Sequence, residues 1–141
     1  MTLAERQKQI VAEFAGLSDW EERYKKLIEL GKQLPSLPEA KKLEDYKVKG
    51  CQSQVWMHAR LEDGKVLFEA DSDALLVRGI VALLLRVYSG ATPEEILSVP
   101  PDFVREIGLE SKLSPSRANG LFSMIKQMKY YAMAFQAMAK F

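Results

Sequence analysis

The sequence predicts an α+β fold: a small antiparallel sheet packed on helices, in one compact unit spanning residues 1–141. Three observations point there. Apolar residues recur with a helical period at both ends of the chain and with a period of two in the middle. An Asp-Gly pair, the strongest short hairpin signal, separates the two alternating runs. No repeat, low-complexity tract or long linker divides the 141 residues, a length that suffices to bury a core.

Thr2 and Glu5 form a capping box, followed by Leu3, Gln7, Ile10, Val11 and Phe14 at mostly helical spacing, with Gly16 ending the run. Ser18 with Glu21 repeats that signal. Trp20, Tyr24, Leu27 and Ile28 then line one face of a second helix, and Gly31 reads as its stop. The stretch LPSLPEAKKLEDYKVKG is extended or irregular, because Pro35 and Pro38 cannot continue a helix and restrict the residues before them. A third strand fits residues 43–49 only weakly.

After Cys51 the alternation begins. Val55, Met57, Ala59 and Leu61 fall on one face, and Trp56, His58, Arg60 and Glu62 on the other. A type I′ turn at Asp63-Gly64 sets Glu62 opposite Lys65, Leu61 opposite Val66, Ala59 opposite Phe68 and His58 opposite Glu69. Asp71, Ser72 or Asp73 can cap the next helix, ALLVRGIVALLLRVYS, which is apolar almost all round and therefore central, with Gly90 as its stop. Thr92-Pro93-Glu94-Glu95 opens a short helix, and another follows Pro100-Pro101 and closes at Gly108. Ser114-Pro115 begins a long last helix with the stripe Leu121, Ile125, Met128, Ala132, Phe135 and Met138.

Composition narrows the function classes. The formal charge is +1, with 20 basic and 19 acidic residues interspersed, and no basic stripe alternates with aromatics, so a nucleic-acid partner is not expected. MTLAERQKQI carries charges where a signal peptide needs an apolar stretch. The most apolar run, Gly79 to Leu85, is too short for a bilayer. A cytoplasmic protein without a membrane partner is expected. One cysteine permits no internal disulfide.

Few residues are left to carry chemistry. His58 opposite Glu69 reads as a half-exposed cross-strand pair. With one histidine and one cysteine, a structural zinc or iron–sulfur site lacks ligands, and neither a metal nor a cofactor is expected. Asp71 and Asp73 could form a metal pair but read more simply as caps. No phosphate loop, serine elbow or HExxH motif occurs. Met124, Met128, Met133 and Met138 read as core packing rather than a binding face.

Cys51 stands apart. It lies in KVKGCQSQVW, where Gly50 permits a sharp turn and Gln52, Ser53 and Gln54 are polar. Lys47 and Lys49 are near enough in sequence to favour a thiolate. Gly50 and its small neighbours would also let another protein's backbone approach. The residues alone leave two readings open: a reactive loop thiol, or an ordinary buried and inert one.

GCQSQVW, residues 50–56, resembles the active-site signature of the SufE family of sulfur-acceptor proteins. Three further blocks resemble the family in its order: DWEERYKKLIELGKQLPSLPE (19–39), ADSDALLVRGIVALLLRVYSGATPEEI (70–96) and LSPSRANGL (113–121). The resemblance implies a fold like the IscU-type scaffold proteins. It implies that Cys51 accepts sulfur from a pyridoxal-phosphate cysteine desulfurase (SufS-like), stimulates it, and passes the sulfur to a Suf scaffold complex (SufBCD-like). It implies roles in docking or loop positioning for Gly50, Gln52, Asp73 and Arg117, and a loop that shelters the sulfur and then swings out. The tail YYAMAFQAMAKF is more apolar than the resemblance suggests. GCQSQVW favours the Suf branch over a CsdE-like paralogue. Rival readings are a thiol peroxidase or redox sensor, and an adaptor binding through the last helix. Whether the chain is an enzyme in its own right, and whether it forms a homodimer, stay open.

Overall fold

The capping box expected at the start of the chain is formed in the computed structural model, which describes residues 1–139. Thr2 Oγ1 accepts from the Glu5 amide at 3.1 Å and the Glu5 carboxylate accepts from the Thr2 amide at 2.9 Å, starting helix α1 (Leu3–Ala15). Gln7 can sit on the buried face because both ends of its amide are used. Its Nε2 donates to the Pro100 carbonyl and its Oε1 accepts from the Phe103 amide, each at 2.9 Å.

Helix α2 (Trp20–Gln33) is capped one residue later than Ser18 suggests. Asp19 accepts from the Glu22 amide at 2.9 Å, and Glu22 rather than Glu21 reaches back to the Ser18 amide at 3.1 Å. Aspartate and serine are comparable caps, so neighbouring candidates compete on backbone geometry. Gly31 does not end this helix. It is buried where α2 crosses α3 (Leu75–Tyr88), and a Cβ there would lie 2.6 Å from the Leu75 carbonyl oxygen. One at Gly79 would overlap the Leu27 carbonyl. The two glycines let the helix backbones touch.

Residues 34–50 contain two 3₁₀ turns, Glu39–Lys41 and Glu44–Tyr46. The weak third strand is reduced to one bridge, Lys47 to Trp56, with the Val48 amide donating to the Val55 carbonyl at 2.8 Å. Pairing stops there because the chain turns at Gly50.

Strands β1 (Val55–Glu62) and β2 (Lys65–Ser72) pair antiparallel in the register that the Asp63-Gly64 turn demands, with Ala59 opposite Phe68 and His58 opposite Glu69. Both turn residues have positive φ, 53° and 77°. Burial departs from strict alternation at each end. Trp56 is buried along with Val55 and Met57, and the Lys42 ammonium lies 5.4 Å from its ring. The irregular segment thus covers the outer face that alternation assigns to solvent. Leu61, on the inner face, is exposed at the hairpin tip.

None of Asp71, Ser72 and Asp73 caps α3, whose N-cap position is Ala74. Asp71 is instead buried. It accepts from the Leu37 amide at 3.0 Å and pairs with the Arg78 guanidinium, which also donates to the Gly31 and Leu34 carbonyls. This clamp joins the end of α2, the end of β2 and the start of α3.

Helices α4 (Pro93–Ser98), α5 (Asp102–Ile107) and α6 (Leu109–Lys112) lead to α7 (Pro115–Met138). Thr92 and Glu95 form the expected box, and Glu95 also accepts from the Leu3 amide at 3.0 Å. The single turn α6 has no signal in the sequence. Helix α7 buries Leu121, Met124, Ile125, Met128 and Ala132, and its Tyr131 hydroxyl donates to the Met57 carbonyl at 3.1 Å. Past Ala132 only Phe135, half-buried and stacked on Tyr131, still packs on the core. Met133 and Met138 are exposed, so only Met124 and Met128 of the methionine stripe are core. Lys140 and Phe141, the end of the apolar tail, lie outside the described residues. The buried residues form one hydrophobic cluster, which makes this a single α+β domain of helices around a two-stranded sheet. Among the described residues, no helix is long and apolar enough to cross a membrane.

Candidate functional site

Cys51 lies on a loop whose two ends are held in different ways. At the leading end, Gly50 adopts φ 89°, and a Cβ there would stand 2.6 Å from Ser123 Oγ on α7. Only glycine combines that dihedral with that approach. At the trailing end, Gln54 is pinned to the end of β2. Its amide donates to Asp73 Oδ1 at 3.0 Å, while its carbonyl accepts from Ser72 Oγ at 2.7 Å and from the Asp73 amide at 3.3 Å. Ser72 Oγ in turn accepts from the Ala74 amide at 3.2 Å.

Between these ends the thiol is half-buried against α7. Its Sγ lies 3.6 Å from the Gly120 carbonyl oxygen, a weak contact for a thiol donor. Beside it opens a cavity of about 290 Å³. Val77, Ile80 and Met124 give it an apolar, buried floor, and Gln52, Ser116 and Arg117 give it a polar rim. Burial pushes the Cys51 pKa up from its ordinary 9.0. The lysines expected to favour a thiolate do not prevail. Lys47 pairs with Glu44 at 3.0 Å, and both Lys47 and Lys49 line a different cavity.

The structure therefore gathers Cys51, Gln52 and Arg117 around one cavity, with Gly50 as the turn before it. Asp73 is outside the cavity lining and acts on the loop's far end. The sequence reading singles out none of Gly120, Val77 and Ile80 for the site, and takes Met124 as core packing alone. Gly120 carries a signal in retrospect, because a glycine inside a helix costs about 1 kcal/mol against alanine and usually marks a close approach. A Cβ on it would lie 3.5 Å from Cys51 Sγ.

Other candidates resolve into structural roles. His58 Nε2 stands 3.5 Å from Glu69 Oε2, an ion-pair distance without a hydrogen bond, and Glu69 also pairs with Lys41 and Arg60. Asp71 is committed to the Arg78 clamp. Among the described residues, no three His, Cys, Asp or Glu side chains converge as a metal site.

The family profile of SufE, described as an Fe-S metabolism associated domain, matches residues 8–132. The chain belongs to the SufE family. It is 46% identical over 135 residues to an uncharacterised SufE-like protein of Synechocystis, covering 96% of this chain and 85% of that one. It is 48% identical to one from Rhizobium meliloti, covering 86% and 90% of the two chains. SufE-like protein 1, chloroplastic/mitochondrial, of Arabidopsis thaliana is 42% identical over 89% of this chain and 34% of its own length. A solution structure of a hypothetical protein from Thermus thermophilus superposes with TM-score 0.75 at 31% identity, covering 92% of this chain and 94% of that one. The SufE family places the chain in iron–sulfur metabolism.

Proposed function

We propose that this chain is a sulfur acceptor and carrier, with Cys51 as the residue that takes the sulfur from a pyridoxal-phosphate cysteine desulfurase. The observation that carries the reading is the placement of Cys51: on a loop with a glycine turn at one end, weakly held, beside a cavity of about 290 Å³ with an apolar floor. A persulfide needs room for one more sulfur and shelter from water and oxidants, and this cavity supplies both.

The step is an exchange between a thiol and a persulfide. The Cys51 thiolate attacks the outer sulfur of a cysteine persulfide on the desulfurase. A new S–S bond forms at Cys51, the old S–S bond breaks, and the partner's thiolate leaves and takes up the proton that Cys51 released. Thiol plus persulfide gives persulfide plus thiol, with no net oxidation. Cofactor chemistry belongs to the partner, and the acceptor needs only a thiol and a place to keep its cargo. The Suf scaffold complex is the recipient this reading favours.

Intact-mass spectrometry tests this directly. After incubation with a Suf-type desulfurase and cysteine, without reductant, the chain should gain one sulfur, about 32 Da, and Cys51→Ser should gain none. No adduct in the presence of an active desulfurase would falsify the acceptor role.

A further inference from the structure

Apart from the cavity beside Cys51, a second cleft of about 360 Å³ opens between the 45–49 segment and α7. Lys47, Lys49 and Lys126 line it, together with Asp45, Ser123 and the exposed ring of Tyr130. Overall the chain is almost neutral, with 20 bases against 19 acids, so three lysines against the single Asp45 in one cleft are a local departure. Their neutralisation is incomplete. Lys47 pairs with Glu44 at 3.0 Å, but among the described residues neither Lys49 nor Lys126 has an ion-pair partner. The Lys126 ammonium lies 5.7 Å from the Tyr130 ring, which gives the cleft an apolar side as well. Ser123, which packs against Gly50, joins this cleft to the turn that carries Cys51.

We propose that this cleft is the docking site for an acidic segment, rich in Asp or Glu, on the protein that delivers sulfur to Cys51. The inference rests on the acceptor reading above and adds a place and a chemistry for the encounter. Charge complementarity is the argument. Lys49 adjoins Gly50 in the chain, and Lys126 lies about one helix turn beyond Ser123. A donor carboxylate in the cleft would gain both ammonium groups without breaking an existing pair. Exposed lysines at a cleft act mostly through association, drawing the oppositely charged surface in and setting its register. Docking there also presses on Ser123 and Gly50, the leading end of the loop.

The test is desulfurase-coupled sulfur loading of Cys51, followed by mass, as carrier concentration and ionic strength are varied. Lys49→Glu/Lys126→Glu should raise the half-saturating carrier concentration at least about tenfold at low salt. Lys49→Arg/Lys126→Arg should stay near wild type. Added salt should weaken wild type until it approaches the reversed variant. Loading of Cys51 by inorganic polysulfide, which needs no docking, should be the same in all three. If reversal leaves half-saturation within about twofold of wild type while wild type loads normally, the docking proposal is wrong and the acceptor reading stands. If inorganic phosphate saturates the cleft at constant ionic strength while loading is indifferent to reversal, the cleft is a small-anion site and the proposal is equally overturned. If wild type never loads from the desulfurase, the acceptor reading falls and takes this one with it.

Discussion

Two glycine contacts divide this molecule. Where α2 crosses α3, Gly31 and Gly79 leave no space at all: a Cβ on either would run into backbone. Where the Cys51 loop meets α7, a Cβ on Gly120 would find Cys51 Sγ at an ordinary 3.5 Å, with the cavity alongside. The polar groups differ in the same sense. Asp71 and Arg78 form a clamp whose hydrogen bonds join three elements, whereas the Cys51 thiol has one long contact to a helix carbonyl. The tight contact fixes the frame. The loose one leaves the Cys51 thiol weakly held.

That contrast can be broken by alanine. Gly79→Ala should cost at least about 3 kcal/mol, the upper range for overpacking, because backbone rather than a side-chain tip must move. Gly120→Ala, also within a helix, should change stability by about 1 kcal/mol or less, since better helix propensity offsets the tighter packing. Denaturant unfolding of both variants measures the difference. Equal costs would show the Cys51 contact to be as closely packed as the helix crossing.

The clamp sharpens the same comparison at a smaller scale. Asp71→Ala strands Arg78 and Lys42 without their shared carboxylate and should cost about 2–3 kcal/mol. That is near the low end for a broken buried pair, because Arg78 keeps its two carbonyl partners and both cations are partly exposed. Asp73→Ala removes one exposed hydrogen bond to the loop and should cost about 1 kcal/mol or less. Urea midpoints should therefore separate two neighbouring aspartates that look interchangeable in sequence. If Asp73 proves the costlier, the loop rather than the clamp holds this corner.

The sequence was most legible where one local rule decides the outcome. Asp63-Gly64 set the register of every pair in the sheet, and the Thr2 and Thr92 capping boxes formed as their spacing implies. It misled where two rules compete or a distant element intervenes. Gly31 looks like a stop because glycine ends helices, yet its use is to meet Gly79 on another helix, a pairing that no local pattern encodes. Asp71 looks like a cap until Arg78 and Leu37 claim it. At the site, the turn at Gly50 was readable and the cavity was not, because Val77, Ile80 and Met124 come from two helices remote from Cys51 in sequence. Lys47 and Lys49 fail to set the state of the thiol for a related reason. Closeness in sequence said nothing about desolvation, which outweighs them.

Desolvation gives the last and smallest expected effect. Because burial raises the Cys51 pKa above 9.0, alkylation of the free chain by a thiolate-selective reagent should accelerate with a midpoint above that value. The sign extends to stability. As pH rises past the thiol's ordinary value, the unfolded chain loses its proton first while the native thiol keeps its own. The unfolded state then binds fewer protons, so stability should fall slightly with pH in that window and not below it. Cys51→Ser should flatten that slope. A midpoint well below 9.0 would mean that the loop already exposes a thiolate at rest. The cavity would then be no shelter, and a redox role would explain Cys51 better than a carrier role. A raised midpoint would mean that the thiol stays protonated and half-buried in the free chain, so that its activation belongs to the encounter proposed above.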